Sequence, residues 1–426
     1  MAPPPGTTVA SLERLDLDEA LARWLAPVLP LPEEAVPAPL VVGRVLARPL
    51  RAWRALPAAA RSAVEGYALR AAELAQGGGL PVAGPAVWAG ADAPPLAPGE
   101  AMFVATGALM PEGADAVVPV ELAALSSRDG RRWLEATRPV AEGANVRRVA
   151  EDLAAGEEAL GAGERVDADR LPLVLAAAGG RAVLVGRRPR VRILPSGDEL
   201  SPAGRAPAGG QVMEVVGGAL AARALAEGAQ VEVSAPLPDR LEAVTASLAA
   251  AAAAADLVVT VGGASIGERD HAAAAVVAAG GEVRFHGLRL RPGTPTFGGH
   301  LRGAAVLGLP GNPVAALTAW ELVGRAALCR LAGAAPPSPL AAVLDVPADK
   351  RAVRDDRYLR AAVWAAEGML RAAVWQGQNA GMLVPLAHTN ALVKHPGGMA
   401  RVEAGSLVEV RLTAPVLPVR PPWLHA

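Results

Sequence analysis

Between residues 190 and 320 the apolar positions repeat one order: a short β-branched run, a turn, then a stretch at helical spacing. VRIL from Arg190 precedes a helical stretch near 211–226, VEVSA precedes one over 239–254, and DLVVTV precedes an alanine-rich helix, after which one more strand and helix follow. Strands alternating with helices predict a mostly parallel sheet with helices on both faces. Other regions read differently. In residues 9–30, Leu12, Leu15, Ala20, Leu21, Trp24 and Leu25 fall at roughly helical spacing, and LPLPEEAVPAPL ends that helix. From about 55 to 140 there are short strands and turns, rich in proline and glycine. A helix around 167–178 is expected to pack back on the first. After AGAAPPSPL, residues 340–426 alternate apolar and polar positions and read as a small β-barrel or sandwich.

These patterns predict an α/β multidomain protein. The expected parts are a helical and extended linker domain (1–54 with 141–187), a mostly β module (55–140), a parallel α/β domain (188–334) and a C-terminal β-barrel domain (335–426). Composition narrows the function. The 426 residues, 52% hydrophobic, exceed one compact core, and about three domains is the prior. With 41 basic and 42 acidic residues the net charge is −1, which gives no electrostatic case for nucleic acid or an anionic membrane. MAPPPGTTVA has neither the basic nor the apolar region of a secretory signal, and the alanines before Asp256 are too few to span a bilayer. A soluble cytoplasmic protein is expected. The single cysteine, Cys329, excludes internal disulfides and cysteine-cluster metal sites. Lys350 and Lys394 are the only lysines, a drift toward arginine that matters when substitutions are weighed.

The densest chemistry lies in VVTVGGASIGERDHA, residues 258–272. Val258, Val259 and Val261 suit a buried strand; Gly262, Gly263 and Gly267 let the backbone approach a ligand; and the next helix offers unpaired N–H groups to an anion. The same order also serves any βα unit that reverses direction. A second turn, AVLGLPGNPVAALTAW at 305–320, has Pro310 and Pro313 fixing the backbone around Gly311 and Asn312 before another helix. Two such turns point to one shared ligand. Asp198 and Glu199 follow the first strand, Asp239 opens a helix after VEVSA, and Asp270 closes the glycine turn. Loops after parallel strands meet in one crevice, where clustered carboxylates beside an anion imply a divalent cation, magnesium first. The competing reading is helix capping by Asp198, Asp239 and Asp270. Arg289 and Arg291, two apart on a strand, face one side and attract an oxyanion, or are solvated surface. His271 has no partner at metal-ligand spacing and reads as a first-turn surface residue.

The chain resembles the MoeA family, the molybdopterin molybdenumtransferases, which also includes the E domain of gephyrin. The resemblance runs nearly end to end through SAVEGYAL (62–69), ATGALMPEGADAVVPVE (105–121), NVRRVAEDLAAGE (145–157), SGDEL (196–200), GGASIGERD (262–270), RPGTP (291–295) and GLPGNPVA (308–315). It implies a homodimer of four-part subunits, with the linker domain dimerising and the α/β domain binding molybdopterin. It also implies insertion of molybdate into adenylylated molybdopterin with release of AMP, assisted by Mg2+ or Zn2+. Carried over by position, Glu65, Thr106, Asp198, Glu199, Asp239 and Asp270 are catalytic, with Asp198, Glu199 and Asp270 on the metal; Asp152 is a further match. Gly262, Gly263, Ser265, Gly267, Arg291, Pro310, Gly311, Asn312 and Pro313 bind the molybdopterin substrate. Contacts with other molybdenum-cofactor enzymes or apo-molybdoenzymes are expected.

Departures from the family pattern leave two readings. Glu65 stands where relatives carry aspartate in SAMDGYA, KPGKP has become RPGTP with Arg291 and Thr294 in place of its lysines, Val216 replaces an asparagine, and Ala380 replaces the serine of SGML. Several of these substitutions are expected on the substrate side of the crevice. One reading is an active molybdenum insertase. The other is a non-catalytic relative that binds molybdopterin or its metallated form as carrier, chaperone or assembly scaffold.

Overall fold

The computed structural model describes residues 14–202, 204–264 and 271–425, so Ser265, Gly267 and Asp270 lie outside the described residues. The chain forms two compact units, one of residues 1–34, 43–45 and 186–426, the other of 35–42 and 46–185.

The larger unit is built on a six-stranded sheet in the order Gln230–Val233, Arg190–Pro195, Leu257–Val261, Ala304–Leu309, Phe297–Leu301, Glu282–His286. The first four strands run parallel and the last two add as an antiparallel edge. Side chains alternate between two cores, as strand geometry requires. Val191, Ile193, Leu257, Val259, Leu307 and Leu309 face helices Leu17–Leu25, Val216–Ala226 and Pro313–Ala319, while Leu194, Val258 and Val306 face Leu241–Ala254 and Ala272–Ala278. The hairpin Phe297–Leu309 was not expected, since the strand–helix rhythm predicts one further strand and helix after DLVVTV and its helix. It is closed by Arg302 and Gly303, both at positive φ (51° and 85°), the two-residue geometry that matches strand twist. Two other expectations change. Residues 211–215 are not helical, since Val212–Met213 pairs with Leu200–Ser201 and the helix begins at Val216. The first helix is Leu17–Leu25 and packs here: Trp24 meets Phe285 edge-on at 6.1 Å and donates from Nε1 to the Gly299 carbonyl at 2.9 Å.

Helix Pro313–Ala319 continues through a π-helical turn, Trp320–Gly324, into Arg325–Ala332. Glu321, almost fully buried in that turn, sits 2.7 Å from Arg325 and 3.6 Å from Arg223. Cys329 is buried on the last segment, as its pattern predicts. The same unit ends in a closed five-strand barrel of Leu340–Leu344, Asp356–Ala366, Met369–Val374, Ala391–His395 and Leu407–Leu412, filled by alternate small aliphatic residues such as Ala361, Val363, Val393 and Val410.

The smaller unit is mostly β. Strand Gly66–Leu69 lies between Met102–Val104 and Ala116–Pro119, and Arg131–Ala136 lies between Leu80–Pro81 and Ala123–Arg128. Its helix Leu171–Ala178 packs with Ala38, Val41, Leu46, Val166 and Val185 in a small core within this unit. No described helix is long and apolar enough to cross a membrane.

Candidate functional site

Strand order decides where a ligand fits. The helix after Arg190–Pro195 covers one face and the helix after Gln230–Val233 the other, so the winding reverses between Arg190–Pro195 and Leu257–Val261. The crevice beyond the carboxyl ends at such a switch point is the usual ligand position in open α/β sheets. Three loops are tied side by side there. Ser196 donates from its backbone N–H to the Val261 carbonyl (2.8 Å), Gly262 donates likewise to Leu309 (3.0 Å), and Gly197 to Leu237 (3.0 Å). Gly262 has φ +87°, and a Cβ there would lie 2.4 Å from the Ser196 carbonyl oxygen, so only glycine fits. Gly263, also at positive φ, accepts through its carbonyl from the N–H of Ala272, which starts the following helix. A Cβ added to Gly311 would meet the Cα of Gly262 at 3.6 Å, so the two glycine turns lie against each other as the sequence anticipates.

The carboxylates approach the same place. Asp198 and Asp239 each accept the other's backbone N–H, at 3.3 and 3.4 Å, and the Ser196 hydroxyl donates to Asp239 at 3.2 Å. Asp198 is followed by a short strand, and Asp239 precedes helix Leu241–Ala254 without capping it, so helix capping does not explain either. Glu199 is exposed, with its carboxylate over Gly197. His271 occupies the cap position of helix Ala272–Ala278 without a side-chain cap bond, and no group of three or more metal-ligating side chains exists among the described residues.

Several expected contributions differ in the structure. Val216 is 5% exposed and packs with Val191, Ile193 and Leu220, so this substitution enlarges the core and does not face the crevice. The polar work at that helix start falls to Glu214, which sequence reading missed: buried, it accepts the Gly217 N–H at 2.6 Å. Its place three residues before Gly217 in QVMEVVG is the available signal, a side-chain acceptor at a helix start. At the second turn Asn312 caps with its backbone alone. Pro313 has no N–H, and the Val314 N–H is taken by the Ala380 carbonyl at 3.1 Å. That amide is therefore not free for an anion. Arg289 and Arg291 are both exposed, as solvated surface residues are, and each is also ion-paired: Arg289 with Asp16 (3.2 Å), and Arg291 from Nε with the largely buried Asp355 (2.7 Å). Thr294 donates its hydroxyl to the Leu290 carbonyl, fastening the RPGTP loop.

In the smaller unit Glu65 and Thr106 lie on neighbouring loops, both exposed. Gly66 pairs with Val104, and the Ala105–Ala108 turn is docked on Ser62 by the bonds Gly107 N–H to Ser62 O (2.8 Å) and Ser62 N–H to Ala108 O (2.9 Å). Thr106 makes no side-chain hydrogen bond among the described residues. Asp152 pairs with Arg147 at 2.5 Å.

Family models match three stretches: the MoeA N-terminal region (domains I and II) over residues 15–179, a probable molybdopterin-binding domain over 192–330, and the MoeA C-terminal region (domain IV) over 346–413. The molybdopterin molybdenumtransferase of Bacillus subtilis is 30% identical over 375 residues, 87% of each chain. The chain belongs to the MoeA family. The Haemophilus influenzae molybdopterin molybdenumtransferase is 32% identical across 75% of this chain and 78% of its own. Among solved structures, the molybdopterin biosynthesis MoeA protein of Pyrococcus horikoshii superposes with a TM-score of 0.78 at 28% identity, covering 95% of this chain and all of that one. Within the MoeA family, then, the crevice at the switch point falls in the segment matched as molybdopterin-binding, and the barrel falls in domain IV.

Proposed function

We propose that this protein inserts molybdenum into the pterin cofactor, taking adenylylated molybdopterin and molybdate and releasing AMP. One observation carries the reading: in a chain whose relatives are named molybdopterin molybdenumtransferases, two glycine turns and the acidic loops of Asp198, Glu199 and Asp239 converge on one switch point.

Gly262 and Gly263, with Ser265 and Gly267 beyond them, and the turn Pro310, Gly311, Asn312 and Pro313 would admit phosphate and pterin close to the backbone. Arg291 would offer the N–H donors it does not use on Asp355. Asp239 holds Ser196 and the Asp198 loop against the strand ends, so the carboxylates are set before substrate arrives. Asp198, Glu199 and Asp270 are assigned to a divalent cation, Mg2+ or Zn2+. Of these, Asp198 and Glu199 are described and Asp270 lies outside the described residues; the exposed carboxylate oxygens of the first two suit a hard ion that keeps places for phosphate oxygens and water, which is how Mg2+ is commonly held. Such a cation, when bound, would supply positive charge beside the pyrophosphate. Glu65 and Thr106 are assigned as catalytic groups, and the homodimer, the cytoplasmic setting and contacts with other molybdenum-cofactor proteins belong to the same proposal.

The test is complementation of a bacterium lacking its own molybdenum insertase, read as molybdoenzyme activity at physiological molybdate. Restored activity is expected. A soluble, folded protein that binds molybdopterin yet restores nothing would sink the transferase reading.

A further inference from the structure

Arg360, on the barrel strand Asp356–Ala366, is 2% exposed and faces no carboxylate among the described residues. A buried guanidinium without an acid is costly unless its donors are satisfied. Three backbone carbonyl oxygens of one loop accept from its two terminal nitrogens, Gly377 at 2.8 Å, Met382 at 3.0 Å and Asn379 at 3.1 Å, while its Nε is buried without a hydrogen-bond partner among the described residues. Gln378 locks the same loop to the same residue. Its side-chain oxygen accepts the Arg360 backbone N–H at 3.1 Å, and its amide donates to the Arg360 carbonyl at 3.0 Å. At the centre of this loop lies Ala380, whose carbonyl accepts the Val314 N–H at the start of the helix after Pro310–Pro313.

We infer that Arg360 is a positioning residue: by gripping the Gly377–Met382 loop it aims the Ala380 carbonyl at Val314 and so fixes the Pro310–Pro313 turn. The inference rests on the reading of that turn as part of the substrate cradle. Chemistry favours arginine for the task, since a planar fork reaches several carbonyls at once while an ammonium is a single point. It also explains how the site tolerates alanine at 380: the contribution to the turn comes from the backbone, which any residue supplies.

The experiment compares wild type with Arg360→Lys and Arg360→Met by amide hydrogen exchange resolved at Val314, without substrate, and by kcat and KM for adenylylated molybdopterin. Both variants should exchange Val314 about tenfold faster, the scale of one lost hydrogen bond. In Arg360→Lys, KM should rise several-fold with kcat less affected. If Arg360→Met does not fold, Arg360→Lys decides. Unchanged exchange at Val314 overturns the inference; if KM nonetheless rises, Arg360 touches substrate itself. Because the exchange needs no ligand, accelerated exchange would sustain the clamp even if wild type failed complementation.

Discussion

Replacing Gly262 by alanine puts the crevice geometry under direct strain. At φ +87° an L side chain costs roughly 1–2 kcal/mol from backbone conformation alone. The new Cβ would also stand 2.4 Å from the Ser196 carbonyl oxygen, about 1 Å inside an ordinary contact, and backbone lies on both sides. Relief requires the Gly262 turn to leave the Ser196 loop, weakening its bond to Leu309 or the Ser196 bond to Val261, each worth about 1 kcal/mol. The sum is about 3 kcal/mol, or ~6–12 °C in the first thermal transition at the scale of a unit this size. Tryptophan fluorescence is a suitable probe, since Trp24 and Trp320 lie in the core beneath the same sheet. A displacement of about 1 Å between the glycine turn and the acidic loop should also lower kcat/KM by roughly a hundredfold. A variant with native melting and native turnover would refute both the steric reasoning and the location of the site.

Other expectations are independent of this one. Asp256 is pushed up by burial but drawn down further by its bonds to Arg187 and to the Arg190 N–H, so its carboxyl titrates below the ordinary carboxylate range. A depressed folded value stabilises fully above the unfolded value and loses that contribution as pH falls through the folded one. Asp256→Asn should therefore cost about 2 kcal/mol at neutral pH, and the gap to wild type should shrink below about pH 4 in acid-unfolding curves. Glu214→Ala should cost about 1–2 kcal/mol through loss of the Gly217 cap, seen as earlier urea unfolding, whereas Glu214→Gln should recover most of it. Asp198→Asn should abolish more than nine-tenths of metal-supported turnover while leaving melting within about 1 °C, because the side chain is exposed; a strong fall in melting would place it in the structure instead.

The strand–turn–helix rhythm was legible because fully buried parallel strands leave an apolar signature, and Leu257–Val261 is buried at every position. The meeting of the two glycine turns was legible for the same reason, since adjacent strands bring their ends together. What escaped notice depended on long-range partners. Nothing in RPGTP announces that Arg291 is engaged by Asp355, 64 residues away, or that Ala380 reaches the helix at Val314. Val216 misled because alignment with a polar family position says nothing about which way the first residue of a helix points. The place of the first helix also depends on distant partners, since Gly298 leaves room for the Trp24 ring and the Gly299 carbonyl accepts its Nε1.

The π-helical turn at Trp320–Gly324 has an evolutionary consequence. Such a turn is what remains when one residue enters an α-helix, and each inserted residue rotates everything after it by about 100°. Here the rotation hands Glu321 to Arg223 and Arg325, and Gly324 to the Trp320 ring, where a Cβ would sit 2.4 Å from its nearest atom. Deleting one residue would restore a regular helix but carry Leu328 and Leu331 off the face they now pack. The π-helical turn is thus held in place by its surroundings, and a one-residue deletion would have to rebuild a buried ion network and a core face together.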